Sequence, residues 1–169
     1  MQIQDWKARI PADFPPDARV WIYQAGRPFN EREEKEIEEQ LYQFYVQWQA
    51  HGKPVKGWAG LLFRQFIVLM ADETVTEVSG CSTDTSVRVI KSIERQYNVS
   101  LFDRMTLTFL VEGKPQMLPF GQVQHALDGG HIGQDTLVFN NIARTKQELL
   151  DNWLVPVRQS WLAGRVQFA

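Results

Sequence analysis

The sequence predicts an α+β fold: an antiparallel or mixed sheet packed by two main helices, with further elements towards the C-terminus. Three observations lead there. Helical apolar periodicity appears twice, over residues 37–48 and 87–97. Apolar or alternating runs of strand length lie before, between and after these stretches. Residues of turn type separate the runs. The resulting order is strand, helix, strand, strand, helix, strand, which is the βαββαβ order of a ferredoxin-like unit. Order alone does not fix which strands pair.

Each element has its own reason. Pro11, Pro15 and Pro16 keep residues 1–18 extended and non-helical. In "RVWIYQ", Val20 and Ile22 point one way and Trp21 and Tyr23 the other, so both faces are apolar and a central strand is expected. Asn30 caps the first helix, with Glu33 at capping-box spacing and Glu31, Glu33 and Glu34 near its positive end. Ile37, Leu41, Phe44, Tyr45 and Trp48 form its apolar stripe, and Gly52 with Pro54 stops it. Residues 58–71 read as one long strand or two short ones. Asp72-Glu73 is a turn, and residues 74–79 a return strand. The second helix runs from about residue 84 to 97, with Val87, Ile90, Ile93 and Tyr97 on one face and Asn98 as its stop.

A strand over residues 105–111 and the turn "EGKP" follow. The last third carries a short helix near residues 121–127, the loop "DGGHIGQD", the short strand "TLVFN", and a helix opened by Thr145 with Glu148 at capping-box spacing. No repeat, low-complexity segment or clear linker divides the chain. Its 169 residues therefore read as a single domain, 1–169.

Composition narrows the function classes. With 44% hydrophobic and 22% charged residues, the chain is a globular one. A net charge of -2 gives no general attraction to nucleic acid or to an anionic membrane. One cysteine rules out an internal disulfide and a cysteine zinc cluster, and suits a reducing compartment. Residues 1–16 hold no continuous hydrophobic stretch of signal-peptide type, and residues 61–70 are too short to span a bilayer. The expectation is a cytoplasmic protein that contacts neither nucleic acid nor membrane.

The segments "RVWIYQAGRPF", "WQAHG", "FIVLMADE", "SGCSTDTSV", "LFDRMTLTF", "TLVFNN" and "VP…SW" occur in that order. On these the chain resembles a family of short uncharacterised bacterial proteins often labelled "ABC transporter ATPase". The resemblance spans roughly residues 19–161. It departs at Thr83, where an aliphatic residue is usual, and in the longer ending "SWLAGRVQF". It implies no catalytic residue. The label itself fails a motif test. A P-loop requires G-x-x-x-x-G-K-[ST], but Gly52-Lys53 and Gly113-Lys114 are each followed by proline and lack the upstream glycine.

"EVSGCSTDTSVRV" holds the lone cysteine at a strand-to-helix turn. Free amides at a helix start attract anions and lower a thiol pKa, which makes Gly80, Cys81, Ser82 and Arg88 the candidate ligand-binding residues. The competing reading is a self-capped helix start. Ser82 or Thr83 can take the orphan amides, and Asp84 complements the dipole while repelling an anion. His51 suits a helix end. His125 and His131 lack a usual metal spacing, so no metal ligand is assigned.

The aromatic run with Arg19, Trp21, Tyr23, Arg27 and Phe29 resembles a base-stacking sheet, yet "MTLTFLV" lacks the pattern RNA-binding domains use. Core packing accounts for it more simply. Trp153 and Trp161 either close a core or line a surface for a partner or second copy. No catalytic residue and no cofactor is assigned. The leading expectation is a non-enzymatic binding or interaction domain, with a protein partner or self-association left open. The alternative is a small-molecule or anion-binding enzyme centred on the Cys81 turn.

Overall fold

The computed structural model describes residues 5–78 and 80–169, with Cys81 as backbone alone. Its helices and antiparallel sheets make an α+β fold. The chain divides into two compact units: Met1–Phe102 with Arg144–Gln147, and Asp103–Ala143 with Glu148–Ala169.

The first unit is built on a three-stranded antiparallel sheet. Strands β1 (Arg19–Gln24), β4 (Lys56–Leu62) and β5 (Phe66–Asp72) lie in the order β1-β5-β4. The central strand is β5, not β1 as its two apolar faces suggested. All seven residues of β5 are buried, which only the middle of a covered sheet allows. β1 stands at one end, where Val20 N–H donates to Arg144 O and Arg19 bridges to Thr145. The run over residues 58–71 is thus a hairpin. Its turn at Phe63 and Arg64 has φ of 52° and 54°, and Gln65 N–H donates to Leu62 O.

Helix α1 (Glu31–Val46) opens as the sequence foretells. Glu33 N–H donates to Asn30 Oδ1 at 2.9 Å, and Asn30 N–H donates to Glu33 Oε2 at 2.9 Å. It ends earlier than Gly52. Trp48 follows the helix, and His51-Gly52 forms the turn of a small hairpin between β2 (Gln49–Ala50) and β3 (Lys53–Pro54). Their φ values of 51° and 74° are those of a tight hairpin turn, so His51 does not sit at a helix end. The apolar stripe of α1 and its Trp48 extension look alike in sequence; the hairpin competes for the backbone and wins.

No strand follows β5 over residues 74–78. Instead Asp72 Oδ1 accepts from Thr74 N–H at 3.0 Å and from Thr74 Oγ1 at 2.6 Å, a side-chain-closed turn. Those bonds hold the Asp72 carboxyl below its ordinary range. Ser79, the end of the expected strand, lies outside the described residues. Helix α2 (Gly80–Tyr97) begins four residues before the expected start at Asp84. Its inward Ile90 and Ile93 join Ile37, Leu41, Leu61, Ile67 and Leu69 in one core. Burying each such aliphatic side chain contributes about 1.5–3 kcal/mol.

Residues 5–18 are anchored rather than extended, and the first four residues of the expected extended segment lie outside the described residues. A 3-10 turn spans Trp6–Arg9, and Trp6, Ile10 and Phe14 are buried. Two lysines hold consecutive carbonyls: Lys146 Nζ reaches Ala12 O at 3.3 Å and Phe14 O at 2.7 Å, and Lys56 Nζ reaches Asp13 O at 2.7 Å.

The second unit holds a four-stranded antiparallel sheet of β6 (Thr106–Val111), β7 (Lys114–Pro119), β8 (Leu137–Phe139) and β9 (Leu154–Pro156), in the order β7-β6-β8-β9. The fourth strand of the expected βαββαβ unit is therefore β6 in a different sheet, and the four strands do not make one ferredoxin-like sheet. Glu112-Gly113 turns β6 into β7, with φ of 51° and 74°. Helix α3 (Val123–Asp128) gives Val123 and Ala126 to a core with Phe109, Ile132, Val138, Val157 and Leu162. Helix α4 (Lys146–Asn152) follows Thr145 as expected. Trp153 is fully buried, 5.1 Å from Phe139, and Trp161 stacks on Phe120 at 5.7 Å. Core closure, not a surface, is the role of Trp153.

Packing makes two stability predictions. A Cβ on Gly57 would lie 2.6 Å from Cε3 of the buried Trp48, whereas one on Gly60 would lie 2.6 Å from Cζ2 of Trp58, whose ring is only half-buried. Chemical denaturation should show Gly57→Ala losing about 1–3 kcal/mol and Gly60→Ala distinctly less. Thr108 is wholly buried, and its Oγ1 has no hydrogen-bond partner among the described residues. Thr108→Val keeps the shape and removes that hydroxyl. Its melting temperature should equal or exceed the wild type's, because an unpaired buried polar group costs about 1–3 kcal/mol.

Candidate functional site

Within the first unit, α1 and α2 pack side by side and leave a groove of about 600 Å³, within the range of small-ligand sites. Helical spacing builds its walls. Glu39 and the adjacent Gln40 lie one turn before Gln43 along α1, with Phe44 beneath them; Thr85, Val89 and Ser92 follow one another at one-turn steps on α2. Gln47, Trp48 and Gln49 close the end where α1 gives way to β2.

The floor is aromatic and rigid. Phe44 and Trp48 meet with ring centroids 4.9 Å apart, and Trp48 meets Trp21 at 6.0 Å. Trp48 Nε1 donates to Ser82 O at 3.2 Å, which ties the floor to the first turn of α2. The rim is mostly amide and hydroxyl. Gln43 Nε2 donates to Glu39 Oε1 at 2.8 Å. Gln40 Nε2 donates to Gln96 Oε1 at 3.0 Å and to Tyr97 Oη at 3.2 Å, and Tyr97 Oη donates to Glu36 Oε2 at 2.9 Å. Burial, then the hydrogen bond to Glu36, pushes the Tyr97 hydroxyl up to about 12. Arg32, then Tyr97, holds the Glu36 carboxyl below its ordinary range.

The residues singled out in the sequence fall differently. Gly80, Cys81 and Ser82 lie inside the first turn of α2, not in a turn preceding it. Helical phase separates them: Gly80 and Arg88 are exposed, while Ser82 is buried and its Oγ donates to Gln49 O at 3.0 Å. The Cys81 side chain lies outside the described residues. Thr83 accepts Ser86 Oγ at its carbonyl, 2.7 Å away, and Asp84 is exposed. Trp21 and Tyr23 pack half-buried against the core. His131 Nε2 lies 2.9 Å from Gln116 Oε1. Among the described residues no group of three or more His, Cys, Asp or Glu is placed to hold a metal ion. No described helix is long and apolar enough to cross a membrane.

The glutamines of the groove carried no signal in the sequence. Only the approach of α2 turns Gln40 and Gln43 of α1 into a wall.

No family model, curated protein or solved structure matches this chain.

The Tyr97 hydroxyl gives a pH prediction. Its pKa is raised on folding, so the folded chain holds that proton more tightly than the unfolded one. The resulting stabilisation is complete below the ordinary tyrosine value of 10.0 and is lost as pH rises through about 12. Denaturation midpoints across that window should fall less in Tyr97→Phe than in wild type. The tyrosinate absorbance component near 12 should vanish in the variant.

Proposed function

We propose that this chain is a non-enzymatic binding domain whose binding surface is the groove between α1 and α2. One observation carries the reading. The groove sets the amides of Gln40, Gln43, Gln47 and Gln49 and the hydroxyls of Thr85 and Ser92 around a floor of Phe44, Trp48 and Val89. Carboxamides donate and accept hydrogen bonds but neither take nor release protons near neutrality, and the carboxylate of the lining, Glu39, accepts from Gln43 Nε2, so such a lining favours recognition over acid-base chemistry. Its apolar floor supplies contact area, and the amide pairs supply orientation. A neutral ligand rich in hydrogen-bonding groups, such as a short peptide segment, fits that chemistry. The single cysteine suits a reducing, cytoplasmic setting. The resemblance to short bacterial proteins adds no activity to this reading.

The alternative, an anion or small-molecule enzyme site at the start of α2, predicts different residues. A thermal-shift screen with neutral peptides, nucleotides and metabolites, followed by amide chemical-shift mapping, separates the two. Groove ligands should move the amides of Thr85, Val89 and Ser92. Thr85→Lys with Ser92→Lys should weaken them roughly tenfold or more while leaving the melting temperature nearly unchanged. A hit lost in both Cys81→Ala and Arg88→Ala, and indifferent to the lysines, would replace this reading with the alternative.

A further inference from the structure

A chain of hydrogen bonds beside the groove decides which polar atoms are left to face a ligand. Arg32 Nε donates to Glu36 Oε1 at 2.8 Å, and this bond, then the one from Tyr97, holds the Glu36 carboxyl ionised below its ordinary range. That carboxylate accepts the Tyr97 hydroxyl at 2.9 Å. A phenol has one hydrogen to give. The Tyr97 oxygen can then only accept, and it accepts from Gln40 Nε2 at 3.2 Å and from Gln96 Nε2 at 3.1 Å. This fixes which way the Gln40 amide lies. Its Nε2 carries two hydrogens, and the second goes to Gln96 Oε1 at 3.0 Å. Gln40 therefore keeps a carbonyl oxygen and no N–H to offer.

The neighbours of Gln40 lean the same way. Gln43 spends one N–H on Glu39 Oε1 and keeps the other with its carbonyl oxygen. Glu39 keeps its second oxygen and its charge. Among the described residues, Gln40 Oε1, Gln43 Oε1 and Glu39 Oε2 have no hydrogen-bond partner. The α1 wall thus presents three acceptors against one donor. Of the described residues lining the groove, only Glu39 is charged. The cations of α2, Arg88, Lys91 and Arg95, recur along a different stripe of that helix and do not line the groove. An excess of acceptors with a negative charge selects a donor with a positive one, because charge-assisted hydrogen bonds are about twice as strong as neutral ones.

We propose that the groove holds the arginine or lysine side chain of a peptide segment, its N–H donors turned to Glu39, Gln40 and Gln43 and its stem lying along Phe44 and Val89. Long cationic side chains bury their stems on apolar surface in this way. The inference rests on the groove being the binding surface and sharpens its ligand: a peptide neutral elsewhere needs one cationic donor here.

Capped tripeptides alanyl-X-alanine, with X arginine, lysine, citrulline or glutamate, test it by titration into the isotope-labelled chain, followed at the amides of Thr85, Val89 and Ser92. Citrulline keeps the shape of arginine and loses its charge. The arginine and lysine peptides should bind at least about fivefold more tightly than the citrulline peptide, and the glutamate peptide more weakly still. Glu39→Gln should bring arginine and citrulline to within about twofold of each other. Tyr97→Phe frees the Gln40 amide to turn over and should narrow the same ratio with the Glu39 charge intact; a purely structural role for Tyr97 would weaken all four peptides alike. Citrulline or glutamate binding as tightly as arginine would overturn this inference and leave the groove standing. No shift at those three amides with any of the four peptides would overturn the groove as a peptide site and this inference with it.

Discussion

Trp48 leaves the end of α1 and is met from every side. Phe44 packs on it from the helix and Trp21 from β1. Gly57 of β4 lies so near that no side chain fits between. Its indole N–H is held by Ser82 O of α2, and its own carbonyl accepts Val55 N–H. Five segments therefore meet on one residue. The early start of α2, the end of α1 and the glycine in β4 follow from the space and the hydrogen bonds this ring requires. An indole needs a partner for its N–H when buried, and the backbone of α2 is the one available.

Around that core, charged side chains finish what the strands leave open. Lys56 and Lys146 collect the carbonyls of residues 12–14, and Arg9 with Glu38 collects both backbone groups of Leu61. Each case answers the same constraint: a backbone group taken from water must find a partner. The partners are long flexible side chains because the N-terminal segment, broken by prolines, supplies no strand among the described residues. Among the described residues, that arrangement holds the sheet of the first unit without a fourth strand, while β6 pairs with β7 and β8.

Local patterns were read well where one physical cause dominates. The Asn30–Glu33 capping box, the β6–β7 turn and the helix after Thr145 appear where spacing and turn chemistry place them. Failures came where two local structures compete. Trp48 continues the stripe of α1, but His51-Gly52 favours a hairpin. Ser82, Thr83 and Asp84 look like caps, yet Ser82 satisfies itself on Gln49 and lets the helix begin at Gly80. The site followed the same rule. The Cys81 segment drew attention because its residue types are rare here, whereas the groove is lined by glutamines that are common on any exposed helix.

From sequence alone came the class of fold, the two amphipathic helices and the position of most turns. These rest on periodicity and on backbone preferences of single residues, which are local properties. Only the tertiary structure decided that β5 is central, that β6 belongs to a second sheet, and that Gln40, Gln43, Thr85 and Ser92 face one another. Strand partners and groove walls are contacts between distant segments. No local propensity encodes them, because they are settled by which surfaces together bury the most apolar area and leave the fewest backbone groups unpaired.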